Sequence, residues 1–209
     1  MLDMTKVKIC GLRTAKDVAG AVEAGADMVG MVLSEGFRRS VPLEDAREMA
    51  RCVPEPVISV GVFVDEDVEK VADITDVLGL GAIQLHGSED DEYVSRIKGL
   101  VGVLVTKSFV VRDMRDIEAA RRSPADMVLL DGGAGSGTGF DRSLARNLGR
   151  DFILAGGLDQ NNVARAVSES RPFAVDVSSG VETGGAKDPA KMRAFVENVR
   201  KADMAEACR

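Results

Sequence analysis

A chain of 209 residues, 45% hydrophobic and 29% charged, has the balance of one ordinary soluble globular domain and is too short for two comfortable ones. A net charge of −7, no basic block and a single Tyr with no Trp argue against a nucleic-acid partner, so local groups must hold any anionic substrate. No apolar run reaches the about 18 residues of a membrane span, and the N-terminus does not read as a signal peptide. Cys10, Cys52 and Cys208 lack disulfide or metal-site spacing, so reduced thiols, no metal and a cytoplasmic location are expected.

Along the chain, short β-branched runs alternate with longer amphipathic stretches, joined at Gly, Asp, Asn or Ser. Strands are predicted near 6–10, 28–33, 57–63, 82–86, 103–109, 127–131, 152–155 and 174–178. Helices are predicted near 14–24, 43–51, 66–75, 89–98, 112–121, 142–147, 161–168 and 189–201. Thr14 with Asp17, and Ser88 with Asp91, have capping-box spacing, while Gly25 suits a helix end. Asp188-Pro189 sets an N-cap acceptor before a proline at the first helical position. Eight units in 209 residues average about 26 each, compact for a (β/α)8 TIM barrel. An open doubly wound sheet shows the same alternation, but eight complete units with no linker favour one closed barrel domain over 1–209.

Side-chain alternation then separates the barrel interior from the face under the helices. Val7 and Ile9 share the apolar face of the first strand, which turns Lys6, Lys8 and Cys10 inward. The same reasoning puts Ala82, Gln84 and His86, then Val103, Val105 and Lys107, inside. Met127, Leu129 and Asp131, and Ala174, Asp176 and Ser178, complete the inward set. Cys10, His86, Lys107, Asp131 and Ser178 sit toward the C-terminal ends of their strands and so converge on the C-terminal mouth, where barrel enzymes keep their active sites. Each has a plainer reading. Cys10 suits a small core hydrophobe, His86 a hydrogen-bonded structural residue, and Lys8 with Asp176 a buried ion pair.

Two glycine-bearing stretches follow the last two strands: Leu154-Ala155-Gly156-Gly157-Leu158, and Asp176-Val177-Ser178-Ser179-Gly180-Val181-Glu182. Loops at these positions commonly hold a phosphate, with Gly156, Gly157 and Gly180 admitting it to backbone N–H groups and Ser179 adding a hydroxyl. A phosphorylated small-molecule substrate is therefore expected. The loop DGGAGSGTG after Asp131 has G-x-G spacing but no acidic residue about 20 positions on at a strand end, so dinucleotide binding is rejected. Its glycines suit a loop that closes over substrate.

These residues carry a resemblance. Lys8-Ile9-Cys10-Gly11, Gly61-Val62-Phe63-Val64, Gln84-Leu85-His86-Gly87, Leu130-Asp131 and the two late glycine stretches look like the phosphoribosylanthranilate isomerase family, in order from residue 6 to about residue 200. The resemblance implies a cofactor-free rearrangement of N-(5-phosphoribosyl)anthranilate in tryptophan synthesis. It implies Asp131 as general acid, Cys10 as general base and Arg39, which aligns better than its neighbour Arg38, as holder of the anthranilate carboxylate, with Gln84, His86 and Asp176 contacting substrate. A thiol base works best with a lowered pKa, and Lys8 or Lys107 is expected to lower that of Cys10. Asp131 is expected to lie partly buried beneath its loop. The chain departs from the pattern in that loop's shorter length, in Arg142 where a tryptophan is frequent, and in Phe37 before the basic pair Arg38-Arg39. Alternatives are another sugar-phosphate isomerase or epimerase, or a phosphate-ligand sensor that needs no acid and base. The assembly is expected to be a monomer or homodimer.

Overall fold

The computed structural model describes residues 4–132 and 142–207. In chain order these form β1 (Lys6–Ile9), α1 (Ala15–Glu23), β2 (Met28–Val32), α2 (Leu43–Arg51), β3 (Ile58–Phe63), α3 (Val68–Leu78), β4 (Ala82–Leu85) and α4 (Asp91–Leu100). Then follow β5 (Leu104–Val110), α5 (Met114–Arg122), β6 (Met127–Asp131), a 3-10 helix (Arg142–Asn147), β7 (Phe152–Ala155), α6 (Val163–Ser170) and β8 (Ala174–Val177). A 3-10 turn (Ser179–Val181) and a two-stranded hairpin, β9 (Glu182–Thr183) and β10 (Ala186–Lys187), precede α7 (Pro189–Ala207). Strands β1 to β8 are all parallel, and β1 pairs with both β2 and β8, closing the predicted barrel. Among the described residues, no helix is long and apolar enough to cross a membrane.

Local chemistry explains most boundaries. Thr14 accepts from the Asp17 N–H at 3.1 Å, but the Asp17 carboxylate returns to Arg13 N (2.9 Å), so only half the expected box forms. Gly25 ends α1 with φ +90°, and Asp188 caps α7 by accepting from Ala190 N at 2.9 Å. The cap of α4 is Asp90, which accepts from Tyr93 N at 2.8 Å, and not Ser88. Ser88 is occupied elsewhere, its N–H and hydroxyl both donating to Asp65 Oδ1. The stretch 142–147 is helical, but as a 3-10 helix that buries Ala145.

Two apolar layers follow from the alternation. Met28, Val60, Ala82, Leu129, Ile153, Ala155 and Ala174 fill the barrel, while Val7, Ile9, Ile83, Leu85, Val128, Leu130, Val175 and others pack beneath the helices. The parity predicted for β5 is reversed. Gln84 registers with Thr106 and Leu85 with Lys107, so Thr106 and Ser108 face in while Val105 and Lys107 face out. Alternation is undefined in the apolar start Val103-Leu104-Val105. Lys107 tolerates burial because Glu89 Oε2 (3.0 Å) and the Gly87 carbonyl (2.7 Å) accept from its ammonium.

Candidate active site

A cavity of about 460 Å³ opens at the C-terminal mouth of the barrel. Cys10, Arg39, Gln84, His86, Asp131, Gly156, Gly157, Asp176 and Ser179 all line it. Of the residues predicted at the mouth, Gly180 and Lys107 do not line it. Gly180 packs against the Leu158 carbonyl so tightly that a Cβ would collide with it, which docks the loop after β8 onto the loop after β7. Gly156 and Gly157 have φ of +91° and +63°, a region open mainly to glycine. A Cβ on Gly156 would also lie 2.7 Å from Asp131 Oδ1, so the missing side chain lets the β7 loop close on that carboxylate.

Cys10 follows β1 and is fixed by its N–H donating to the Val177 carbonyl at 2.8 Å. One inward step below, Lys8 is 1% exposed and its Nζ lies 3.1 Å from Asp176 Oδ1, the ion pair that the closed register predicts. Gly30 on β2 makes room for both. A Cβ there would sit 2.7 Å from Cys10 Sγ and 3.2 Å from Lys8 Nζ. Burial raises the Cys10 thiol pKa, and the pull of the Lys8 ammonium does not overcome it. The expected lowered thiol pKa is therefore corrected: the Asp176 carboxylate, facing the same space, adds to the rise. Lys107 has no part in this, since it sits outside the barrel wall. Burial also opposes the Lys8 ammonium, but Asp176 and Cys10 hold its pKa above the ordinary lysine value.

Across the cavity, His86 Nδ1 meets Gln84 Nε2 at 2.9 Å and Ser108 Oγ at 2.8 Å, while its Nε2 faces Asp131 Oδ2 at 3.9 Å. Burial lowers the imidazole pKa despite Asp131 and Asp176 nearby, which favours the neutral ring at pH 7. Asp131 ends β6 with its side chain 21% exposed. The glycine loop expected to cover it falls largely at 133–141, outside the described residues, as does Cys208.

The loop after β2 brings Arg38 and Arg39 to the rim. Gly11 (φ +70°) lets Arg39 cross the end of β1, since a Cβ would strike the Arg39 side chain and lie 2.8 Å from Ser178 Oγ. Arg39 Nε donates to Glu182 Oε1 at 2.7 Å and Arg38 Nη2 to Glu182 Oε2 at 2.9 Å. Lys187 Nζ reaches Glu182 Oε1 (3.2 Å) and the Ser178 carbonyl (2.8 Å). Glu182, Lys187, Gly30 and Ser108 were not singled out in the sequence. Glu182 stood in a quoted motif; a lysine five residues later on a short hairpin carries no periodic signal. Among the described residues, no group of three or more His, Cys, Asp or Glu is placed to hold a metal.

The chain matches known proteins along nearly all of its length. The family model for N-(5′-phosphoribosyl)anthranilate (PRA) isomerase matches residues 7–198. The N-(5′-phosphoribosyl)anthranilate isomerase of Desulforudis audaxviator is 46% identical, over 95% of this chain and 100% of that protein. A crystal structure of monomers generated from the dimeric enzyme of Thermotoga maritima superposes with a TM-score of 0.85 at 40% identity, covering 95% of this chain and 100% of that one. A phosphoribosyl anthranilate isomerase in complex with reduced 1-(o-carboxyphenylamino)-1-deoxyribulose 5-phosphate gives 0.86 at the same identity and coverage. This chain belongs to the N-(5′-phosphoribosyl)anthranilate isomerase family.

Proposed function

We propose that this chain isomerises N-(5′-phosphoribosyl)anthranilate to 1-(2-carboxyphenylamino)-1-deoxyribulose 5-phosphate, an aldose-to-ketose step of tryptophan biosynthesis. The observation that carries the residue assignment is that Cys10 and Asp131, from β1 and β6, face one cavity. Asp131 gives a proton to the furanose ring oxygen, and the ring opens to a Schiff base. The Cys10 thiolate then takes the C2′ proton, leaving an enolamine. As C1′ gains a proton and the C2′ hydroxyl loses one, the ketone forms. Lys8 is the cation that favours the thiolate in a site whose burial disfavours it.

In this reading Arg39 holds the anthranilate carboxylate, and Gln84, His86 and Asp176 line the sugar. Gly156, Gly157 and Ser179 bring backbone N–H groups and a hydroxyl to the phosphate, with Gly180 fixing their two loops together. The chain acts as one domain over 1–209, needs no cofactor, and works in the cytoplasm as a monomer or homodimer. A phosphate sensor would have no use for an acid and a base facing each other, and a pentose-phosphate epimerase none for the KICG cysteine.

The test is loss of substrate fluorescence with phosphoribosylanthranilate generated in situ. Wild type should turn over, and Asp131→Asn should lose about a hundredfold or more in kcat, the scale of a missing general acid. A silent wild type that still binds ribose 5-phosphate would move the assignment to another sugar-phosphate barrel or a sensor.

A further inference from the structure

Outside the acid and base lies a second cluster that their chemistry does not use. Glu182 on β9 has a side chain only 8% exposed, yet it faces three cations: Arg38, Arg39 and Lys187. Lys187 is itself only 3% exposed. Its ammonium bridges Glu182 to the Ser178 carbonyl, at the start of the loop expected to take the phosphate. The hairpin is anchored on both sides, since Arg13 Nη2 donates to the Gly185 carbonyl at 3.0 Å and Lys191 Nζ to the Glu182 carbonyl at 2.8 Å.

The way Arg39 is held matters. Glu182 takes its Nε, and among the described residues its terminal nitrogens make no hydrogen bond while the side chain lines the cavity. A guanidinium anchored by Nε presents a fixed terminal edge, whereas an unanchored one spends rotamer freedom on each encounter. Three cations against one carboxylate also leave this cluster net positive in a chain of net charge −7. A doubly anionic substrate needs that local excess.

We propose that Glu182 is a positioning residue that aims Arg39 at the aryl carboxylate. This rests on the isomerase reading for the identity of the carboxylate. Burial resists the charge on Glu182, but the guanidiniums of Arg39 and Arg38 and the Lys187 ammonium hold its pKa down at about 2, so it is ionised throughout the working range.

The experiment compares wild type, Glu182→Gln, Glu182→Asp and Arg39→Met on phosphoribosylanthranilate and on the analogue made with aniline, which has no carboxylate. On the first substrate, Glu182→Gln should raise KM about tenfold to a hundredfold, the range of a charge-assisted hydrogen bond, with kcat within about threefold. Glu182→Asp should recover part of the loss. On the aniline analogue wild type and Glu182→Gln should be alike. Equal losses on both substrates, or none on either, would overturn the proposal. A fluorescence titration with anthranilate itself repeats the comparison without turnover: weaker binding in Glu182→Gln supports the positioning role, and unchanged binding refutes it. A wild type inactive on both substrates would sink the isomerase reading and leave that titration to decide the role of Glu182.

Discussion

Cys10 shows how one residue can be placed for a task that its surroundings oppose. Its strand end puts Sγ in the cavity, and burial there favours the neutral thiol. Lys8, held by Asp176, is the group that pulls the other way, and Gly30 keeps β2 clear of both. Peptide-resolved alkylation across pH should show Cys10 reacting with an inflection above the ordinary thiol value. In Lys8→Met that inflection should move higher still. An inflection below the ordinary value, or none of the expected movement in Lys8→Met, would mean that burial does not govern this thiol. The same variant strands the Asp176 carboxylate, and breaking a buried pair in this way costs about 3–5 kcal/mol, so melting must be followed alongside. Lys8, Cys10 and Asp176 were legible because their spacing repeats every second residue opposite the apolar Val7 and Ile9, and Val175 and Val177.

Elements were legible where their signals are local, and less so where partners lie far apart. Among the described residues, seven α-helices and the eight barrel strands fall close to the alternation read from the chain, and Gly25 and Asp188 end and start their helices as their chemistry requires. The parity of β5 was not legible, because Lys107 owes its outward burial to Glu89, which no alternation within β5 can reveal. The β9–β10 hairpin was missed for a similar reason: Glu182 meets Arg39 across 143 positions of sequence. This hairpin makes a prediction about acid stability. Glu182 has a folded pKa of about 2 against 4.5 for an unperturbed glutamate, so the unfolded state binds the proton more readily. Its contribution, on the order of 3 kcal/mol, is present above the unfolded value and is lost as pH falls from 4.5 toward 2. Unfolding curves should show Glu182→Gln well below wild type at neutral pH, with the gap shrinking through that acid window. A gap that is constant with pH would refute it.

At the scale of the whole molecule, the barrel separates chemistry from closure. The mouth carries the cavity, while the opposite end is tied by polar contacts between β1, β2 and α7. Thr5 donates to Asp203 from its N–H (3.0 Å) and its hydroxyl (2.7 Å). Arg200 Nη2 donates to Asp27 Oδ2 at 2.8 Å, and the same oxygen accepts from Val7 N. None of these residues lines the cavity. Asp203→Ala should therefore lower Tm by about 2–8 °C while kcat/KM stays within about twofold. A large fall in kcat/KM with Tm unchanged would show that the two ends are coupled. The ties from Thr5 and Asp27 to α7 carry no signal in the sequence, because they join the start of the chain to its last helix.

The most direct test of the account concerns the proton on C2′. Single turnovers with protiated and C2′-deuterated phosphoribosylanthranilate should show a primary isotope effect in wild type. With Cys10→Ser, the isotope-sensitive step should slow by about a hundredfold or more, as expected when a general base is lost. A Cys10→Ser enzyme that removes the C2′ proton at the wild-type rate would contradict the assignment of Cys10 as the base.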